Sequence, residues 1–348
     1  MIYIINFLVL AVDAFFERFI KSKVFLYISS ILLVCFAGFR GFNVGPDTPV
    51  YVSFYEETLA KIGNSYFEPG YHFLEHFCSF LGLSTTFFLT IVSLLTMLLL
   101  VSGFKYFTVF PSSILLYYYA RFFMNRNMGQ IRAALAASII LFSLRYVQKK
   151  QLFTFMFFCL LATLFHKSAL IALLIYPFNL FVWRYLKTKK GIVEFTILIL
   201  ILVYLLSIFG TGLIYRIFDV LSSAYVDSNN DNAKQSLGIN NPVIWMQVLL
   251  TIFAILFLNN NSDRKNEVII TTYLLSTILL ILLSHYYVLA GRLSSMLATV
   301  EPLLFLKVTD HFFGNKTISY FIFLILSIFI FWLINIKSGV LSPYAFSF

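Results

Sequence analysis

The residues best suited to chemistry lie between Arg40 and Tyr51, directly after an apolar stretch that ends at Phe39. Arg40 supplies a guanidinium group and Asp47 a carboxylate, and glycines and prolines shape the loop that carries them. Because glycine permits positive φ angles and proline restricts φ, we expect this loop to hold Asp47 close to Arg40. Asp47 is then a candidate base for an incoming hydroxyl group. The alternative is an ion pair that only shapes the loop.

Two tyrosines follow this loop at a spacing of one helical turn. Tyr51 and Tyr55 would share one face of a helix, where their rings could stack on a sugar. Aromatic side chains also gather at membrane interfaces, which is an equally ordinary reason for both. The pair are candidate substrate-binding residues.

A second polar group lies in a turn between two apolar segments. Arg126 and Gln130 belong to the turn, and Arg132 lies at the start of the helix that follows. A helix N-terminus presents free N–H groups and a partial positive charge, so these side chains suit phosphate oxygens. Arg121, at the end of the preceding apolar segment, is a further candidate. The alternative is an asparagine-rich turn that contacts lipid head groups.

A third group interrupts the apolar residues 152–181. His166 could donate a hydrogen bond, accept a proton as a base or bind phosphate, and Lys167 adds a positive charge. A simple turn between paired helices, with Lys167 at the head groups, explains the spacing equally well. Further along, His285 and Arg292 are candidate substrate-binding residues, with Glu301 as a structural counter-ion.

The composition indicates which elements must position these residues. The chain has 348 residues, of which 60% are hydrophobic and only 11% charged, and its mean hydropathy is +0.90. Apolar runs recur that are long enough to cross a hydrocarbon layer about 30 Å thick. We therefore predict an all-α, polytopic integral membrane protein of about twelve transmembrane helices, within a range of ten to fourteen. The predicted spans are Ile2–Phe16, Val24–Phe39, Leu83–Gly103, Tyr106–Phe123, Ile131–Val147, Leu152–Phe165, Ala169–Trp183, Ile192–Phe209, Val243–Leu258, Val268–Ser284, Leu289–Leu306 and Ile318–Ile336.

The distribution of lysine and arginine predicts the orientation of these spans. If the N-terminus lies outside, alternate loops collect positive charge, as the positive-inside rule requires. The inward loops then hold Arg18, Lys21, Lys23, Lys105, Arg145, Lys149, Lys150, Arg184, Lys187, Lys189, Lys190, Arg264, Lys265, Lys307 and Lys316. Orientation thus accounts for most of the net charge of +10, and we predict no nucleic-acid partner. It does not account for the cations of the candidate groups, which all lie at outward-facing ends.

Two longer segments also face outward in this topology. Residues 40–82 are expected to carry an interfacial amphipathic helix over Tyr66–Phe80. Residues 211–241 are polar and are expected to form a loop or lid. We treat the whole of 1–348 as one membrane domain.

Several kinds of site are not predicted. We find no glycine-rich nucleotide loop and no Asp-x-Asp pattern, so we expect neither a nucleotide cofactor nor a metal site. The cysteines Cys35, Cys78 and Cys159 lie in apolar surroundings and are interpreted as packing residues.

The three polar groups together resemble motifs of the EpsG family of membrane polysaccharide polymerases. The resemblance rests on Arg40-Gly41, Val44-Gly45, Asp47-Thr48 and Tyr51 in the first motif, on the run from Gln130 to Ala136, and on the run from Ala162 to Ile171, with Arg292 as a plausible fourth element. It covers about the first half of the chain.

This resemblance implies a Wzy-type reaction, and we expect a GT-C-like fold. Such an enzyme moves a growing glycan from undecaprenyl diphosphate onto another lipid-linked repeat unit at the periplasmic face of a bacterial inner membrane. Asp47 or His166 would act as base, and Arg40 and Arg132 would complete the catalytic group. The other candidates, Arg121, Arg126, Gln130, Lys167, His285, Arg292, Tyr51 and Tyr55, would bind diphosphate or sugar. Expected partners are the lipid-linked oligosaccharide, the bilayer, and a chain-length regulator and flippase of the same pathway.

Three other functions use similar residues. A flippase for the same lipid-linked oligosaccharide would carry ionisable groups at mid-membrane depth, whereas these crowd toward the outer face. A membrane acyltransferase would place its histidine toward the cytoplasmic side. A ligase that moves finished polymer from the same carrier is the closest alternative. Among polymers, we expect O-antigen, with capsule and exopolysaccharide as alternatives.

Overall fold

The computed structural model describes residues 1–61, 67–186, 188–209, 241–258, 263–284, 286–339 and 341–347. The regular secondary structure in these ranges is helical, and their β-type pairing is a single bridge between Arg40 and Phe346. Helices satisfy their own backbone hydrogen bonds, which is what a segment in hydrocarbon requires. The prediction of an all-α polytopic membrane protein is confirmed.

Each predicted span coincides with a helix or with consecutive helical segments. Within the described ranges, six helices are long and apolar enough to cross a membrane, and three shorter ones are also apolar. The six are Thr85–Phe107, Ile131–Gln148, Lys167–Leu186, Arg264–Leu282, Val288–Phe312 and Lys316–Ile336. The shorter three are Val24–Gly38, Leu152–Thr163 and Pro242–Phe257.

The helices cluster into two compact units. The first comprises residues 1–170 and 305–348. Its helices are α1 (Ile2–Ile20), α2 (Val24–Gly38), α3 (Thr48–Leu59), α4 (Pro69–Phe80), α5 (Thr85–Phe107), α6 (Pro111–Tyr118), α7 (Met124–Arg126), α8 (Ile131–Gln148), α9 (Leu152–Thr163) and α16 (Lys316–Phe331). In this unit α5 packs against α2 and α8, α8 packs against α9, and α1 packs against α6.

The second unit comprises residues 171–304. Its helices are α10 (Ile175–Leu186), α11 (Lys189–Phe209), α12 (Pro242–Phe257), α13 (Arg264–Leu282) and α14 (Tyr287–Leu297), and α15 (Glu301–Phe312) runs across the boundary. Buried polar pairs join its helices: Asn179 Nδ2 donates to Thr271 Oγ1 at 2.8 Å, and the Thr251 and Thr277 hydroxyls lie 2.8 Å apart. Glu301 is buried and accepts a hydrogen bond from the Tyr273 hydroxyl.

Two predicted spans contain π-helical turns. The first, Tyr119–Phe123, follows α6, and the second, Trp332–Ile336, follows α16. Asn335 Nδ2 joins them by donating to the Ala120 carbonyl at 2.7 Å. A π-turn leaves backbone carbonyls without their usual partner, so the asparagine amide satisfies a group that the helix itself cannot.

Segment 40–82, which was predicted to face outward, contains two helices, α3 and α4, where the sequence predicted one interfacial helix over Tyr66–Phe80. Pro49 and Pro69 lie at the first turns of α3 and α4, where proline costs no hydrogen bond. The buried faces of α3, α4 and the start of α5 form one apolar cluster that includes Tyr51, Tyr55, Tyr71 and Phe88. This cluster is the platform on which the candidate site is built.

Candidate functional site

The loop before α3 packs on the turn before α8. Gly45 has φ +93° and lies so close to that turn that a Cβ atom would be 2.0 Å from the Met128 carbonyl oxygen. A Cβ on Gly129 would lie 3.3 Å from Pro46 Cδ. The Thr48 hydroxyl adds a hydrogen bond to the Met128 carbonyl at 3.2 Å. The first and second motifs are therefore in direct contact, and glycine is required at position 45 for both conformation and space.

Arg40 is buried beneath this loop, with only 1% of its surface exposed. Its Nε donates to Thr48 Oγ1 at 3.0 Å, and its Nη1 donates to the Ala37 carbonyl. Nη2 is buried and has no hydrogen-bond partner among the described residues. Burial lowers the pKa of Arg40 to about 10, so the group still carries its charge at neutral pH.

Asp47 lies beside these contacts but does not take part in them. Arg40 bonds to the neighbouring Thr48, and in the described part of the chain Asp47 forms no ion pair or hydrogen bond through its side chain. The carboxylate is half-exposed. The alternative of an Arg40–Asp47 ion pair is therefore wrong for this conformation, and Asp47 remains accessible to a substrate.

Arg132 lies in the first turn of α8, and its side chain packs against aromatic rings of the platform. Its guanidinium lies 4.1 Å from the centroid of the Phe67 ring, 5.8 Å from that of Tyr51 and 5.9 Å from that of Tyr71. Its Nη1 forms an ion pair with Glu68. Its Nε is buried without a hydrogen-bond partner in the described ranges.

Glu68, which sequence reasoning did not single out as a site residue, links the second motif to the third. Its Oε2 accepts from Arg132, and its Oε1 accepts from the backbone N–H of Lys167 at 3.3 Å. The adjacent Gly70 N–H donates to the Leu164 carbonyl at 2.8 Å. The available signal was a carboxylate immediately before Pro69-Gly70 at a helix start, but nothing local indicates partners 64 and 99 residues away.

His166 lies in the short connection between α9, which ends at Thr163, and a 3-10 segment over Lys167–Leu174. Its Nδ1 lies 3.3 Å from the backbone nitrogen of Ser168, which donates to it. An acceptor Nδ1 carries no proton, so in the neutral ring the hydrogen is on Nε2. The side chain is half-buried, and Lys167 beside it is exposed. In this arrangement His166 offers an N–H donor.

The other candidates of the second motif have different surroundings. Arg126 is buried, with its guanidinium 4.3 Å from the Phe122 ring centroid, and it interacts with the Tyr118 hydroxyl. Arg121 lies 5.0 Å from the same ring and is half-buried. Gln130 is exposed and occupies the N-cap position of α8. Of these three, Gln130 has the most accessible side chain.

The two tyrosines of α3 are both buried. Tyr51 is 3% exposed and interacts with both Arg132 and Arg40. The Tyr55 ring stacks on Phe88 with centroids 4.3 Å apart, and its hydroxyl donates to the Leu83 carbonyl. Tyr51 therefore belongs to the immediate surroundings of the arginines, while Tyr55 supports the platform from inside.

The remaining candidates lie elsewhere in the chain. Arg292 is exposed on α14, in the second unit. His285 and residues 211–240 of the predicted outward loop lie outside the described residues.

No group of three or more histidine, cysteine, aspartate or glutamate side chains suited to a metal ion occurs where the chain is described.

The C-terminal residues form backbone hydrogen bonds with the chain on either side of Arg40. The sequence did not indicate this contact. The Gly41 N–H donates to the Ala345 carbonyl at 2.7 Å, and the Ser347 N–H donates to the Phe39 carbonyl at 3.0 Å. The Tyr344 ring stacks on Phe36 with centroids 4.6 Å apart. Arg40 is therefore enclosed by the tail on one side and by the platform on the other.

Arg40 and Arg132 share the same two aromatic neighbours. Tyr51 and Tyr71 interact electrostatically with both guanidinium groups. Burial raises the pKa of Tyr71 well above its ordinary value, so its hydroxyl stays protonated, and the oxygen has no hydrogen-bond partner among described residues. Buried donors without partners are costly unless a ligand accepts from them. We call Arg40, Arg132, Tyr51, Tyr71 and Glu68 the arginine site.

A comparison with known protein families identifies the chain. The model of the EpsG family matches residues 23–346. The chain belongs to the EpsG family. Membership supports a membrane protein of the polysaccharide polymerase type. The matched range includes every residue of the arginine site and begins after α1. No curated protein and no solved structure matches this EpsG-family chain.

Proposed function

We propose that this protein is a polysaccharide polymerase that moves a growing glycan from undecaprenyl diphosphate onto another undecaprenyl-diphosphate-linked repeat unit. The observation that carries the proposal is a pair of guanidinium groups, fully buried at Arg40 and partly buried at Arg132, each with a buried nitrogen that has no hydrogen-bond partner in the described ranges. A diphosphate gains negative charge as it leaves, and preorganised cations in a site of low dielectric stabilise that charge most strongly. The glycosyl diphosphate is already activated, so the reaction needs no nucleotide.

The reaction requires residues in two roles: cations that bind the diphosphate and a base that accepts the hydroxyl proton. The acceptor hydroxyl attacks the anomeric carbon of the donor, the bond from that carbon to the diphosphate oxygen breaks, and the electron pair leaves with the diphosphate. Arg40 and Arg132 would bind the diphosphate, and Lys167, exposed beside the Glu68 contact, would extend the positive surface. The hydroxyl proton passes to a base.

The hydrogen bonds favour Asp47 as that base. Its carboxylate is half-exposed and forms no side-chain hydrogen bond or ion pair in the described part of the chain, although it lies near enough to Tyr51 to act on it electrostatically. His166 receives a hydrogen bond at Nδ1, so in the neutral ring Nε2 carries the hydrogen and acts as a donor. We therefore assign His166 to the phosphate or sugar oxygens as a donor.

The proposal places the site at the periplasmic face. Its support is the distribution of charge: Arg40, Arg132 and Lys167 lie at helix ends where the positive-inside rule predicts few cations. O-antigen is the product class we propose, with capsule and exopolysaccharide as the alternatives.

The direct test uses the purified full-length protein with lipid-linked repeat units and no nucleotide. We expect a ladder of products that differ by one repeat unit, together with released undecaprenyl diphosphate. A parallel assay in liposomes follows movement of a fluorescent lipid-linked oligosaccharide between leaflets. Translocation without a ladder would refute the polymerase and support a flippase. Transfer only of preformed polymer to a lipid A core acceptor would support a ligase instead.

A further inference from the structure

A second polar cluster lies in the first unit, apart from the arginine site. Asp13 and Glu17 are one helical turn apart on α1, and each is 2% exposed. They face the start of α6, where Ser112 and Ser113 are fully buried. The EpsG-family match begins after α1, so family membership does not account for these carboxylates. An ionised carboxylate in so apolar a place requires compensation.

Glu17 has a structural explanation. Its Oε2 accepts hydrogen bonds from the backbone N–H groups of Ser112 at 2.9 Å and Ser113 at 3.3 Å. These N–H groups belong to the first turn of α6 and have no partner within their own helix. Glu17 thus caps a neighbouring helix, and the partial positive charge of that N-terminus offsets part of its own charge.

Asp13 has no comparable explanation. Neither Oδ1 nor Oδ2 has a hydrogen bond of normal geometry in the described part of the chain, although the Ser29 and Ser112 hydroxyls face the carboxylate. Glu17 Oε1 and the hydroxyl oxygens of Ser112 and Ser113 are likewise buried without such bonds. Oxygen atoms from three places in the chain therefore converge with unused acceptor capacity.

The nearby cation does not neutralise this cluster. Arg18 is directed toward Asp310 and the Ser319 hydroxyl, with which it forms an ion pair and a hydrogen bond. The charged group that acts on Glu17 is Asp13, which repels it. The partial positive charge at the N-terminus of α6 amounts to only about half a unit, so with both carboxylates ionised more than one negative charge remains, centred on Asp13.

We propose that Asp13, Glu17, Ser112 and Ser113 bind a hard monovalent cation of the sodium class. Carboxylate and hydroxyl oxygens are the ligands that such cations prefer. One cation would neutralise most of the charge that remains and supply the unused oxygens with a partner. This site is independent of glycosyl transfer, so its test uses no substrate.

The test measures the thermal unfolding midpoint of the purified full-length protein in nanodiscs. Sodium chloride is compared with choline chloride at equal ionic strength and pH. A cation that binds only the folded state should raise the midpoint of the wild type by roughly 2–4 °C. Asp13→Asn should remove this response and leave the midpoint in choline equal to or above that of the wild type, since a buried charge is gone.

Two further variants keep the test decisive if Asp13→Asn fails to fold. Ser112→Ala should reduce the sodium response, and Ser138→Ala, a buried hydroxyl in α8 that donates to Leu135, should keep it. The site is refuted if the wild type does not respond to sodium, or if Asp13→Asn responds like the wild type. A midpoint that follows pH but not sodium, or rises only with Mg²⁺ or Ca²⁺, would overturn the assignment to a monovalent cation.

Discussion

Glu68 shows how one side chain joins parts of the site that are distant in sequence. One carboxylate oxygen holds the Arg132 guanidinium and the other holds the Lys167 backbone. A substrate diphosphate would compete with Glu68 for Arg132, while Glu68 keeps the guanidinium in place before the substrate arrives. Glu68 is therefore a positioning residue that acts through Arg132.

Glu68→Gln should lower polymer formation by roughly 10- to 100-fold, about 1.4–2.7 kcal/mol, while the protein remains in the membrane. Because Glu68 acts through Arg132, the double variant Glu68→Gln/Arg132→Ala should be no less active than Arg132→Ala alone. Initial rates of ladder formation measure both. Losses that multiply in the double variant would show that Glu68 acts independently of Arg132.

Asp47 and His166 should respond differently to conservative substitution. Asp47→Asn removes the proposed base and should reduce the rate by about 10²- to 10⁴-fold. His166→Gln keeps an N–H donor near the Nε2 position and should retain much more activity than His166→Ala. Single-turnover rates compare the variants. If His166→Gln is as inactive as His166→Ala while Asp47→Asn is active, the two roles are reversed.

The candidate arginines and histidine could be predicted from sequence because their types conflict with an apolar, outward-facing environment. Arg40, Arg132 and His166 were found in this way, and the structure brings their motifs into contact through Gly45 and Glu68. Glu68 could not be ranked above other loop carboxylates, because its importance comes from partners that only the folded chain supplies.

At the scale of elements, the loop before α3 depends on one glycine. Gly45→Ala would place a methyl group against the Met128 carbonyl and impose an unfavourable φ. We expect loss of polymer formation and a lower unfolding midpoint. Gly82→Ala is the control, since Gly82 also has a positive φ of +67° but open space around its Cβ position. It should cost only about 1 kcal/mol and leave activity nearly unchanged. Equal effects of the two substitutions would contradict the packing of the loop on the turn.

The sequence predicted helices more reliably than it predicted the π-helical turns within them or the contacts between distant segments. Long apolar runs are sufficient to place α5, α8 and α16, because a segment in hydrocarbon must satisfy its own backbone hydrogen bonds and a helix does so. The π-turn at Tyr119–Phe123 and the tail contact between Gly41 and Ala345 depend on residues some 200 to 300 positions away. Periodicity carries no information about such pairings.

At the scale of the whole molecule, hydropathy predicted the fold class, and each predicted span coincides with helical residues, of which six helices in the described ranges are long and apolar enough to cross a membrane. The division into two units was not visible, because it depends on which helices pack together. The charge pattern led to the proposal that the chemistry takes place at one membrane face. Helix α8 allows this proposal to be tested, because it carries an arginine at each of its ends. Arg132 lies in its first turn and Arg145 in its last, and both guanidinium groups contact aromatic rings.

The decisive measurement is therefore the single-turnover release of undecaprenyl diphosphate by two variants of the same helix. Arg132→Ala should slow release by about 10²- to 10³-fold, because a donor to the leaving group is lost. Arg145→Ala, which loses hydrogen bonds to Phe142 and Ser102 at the opposite end, should stay within about threefold of the wild type. A folded Arg132→Ala variant that releases the carrier at the wild-type rate would contradict the account.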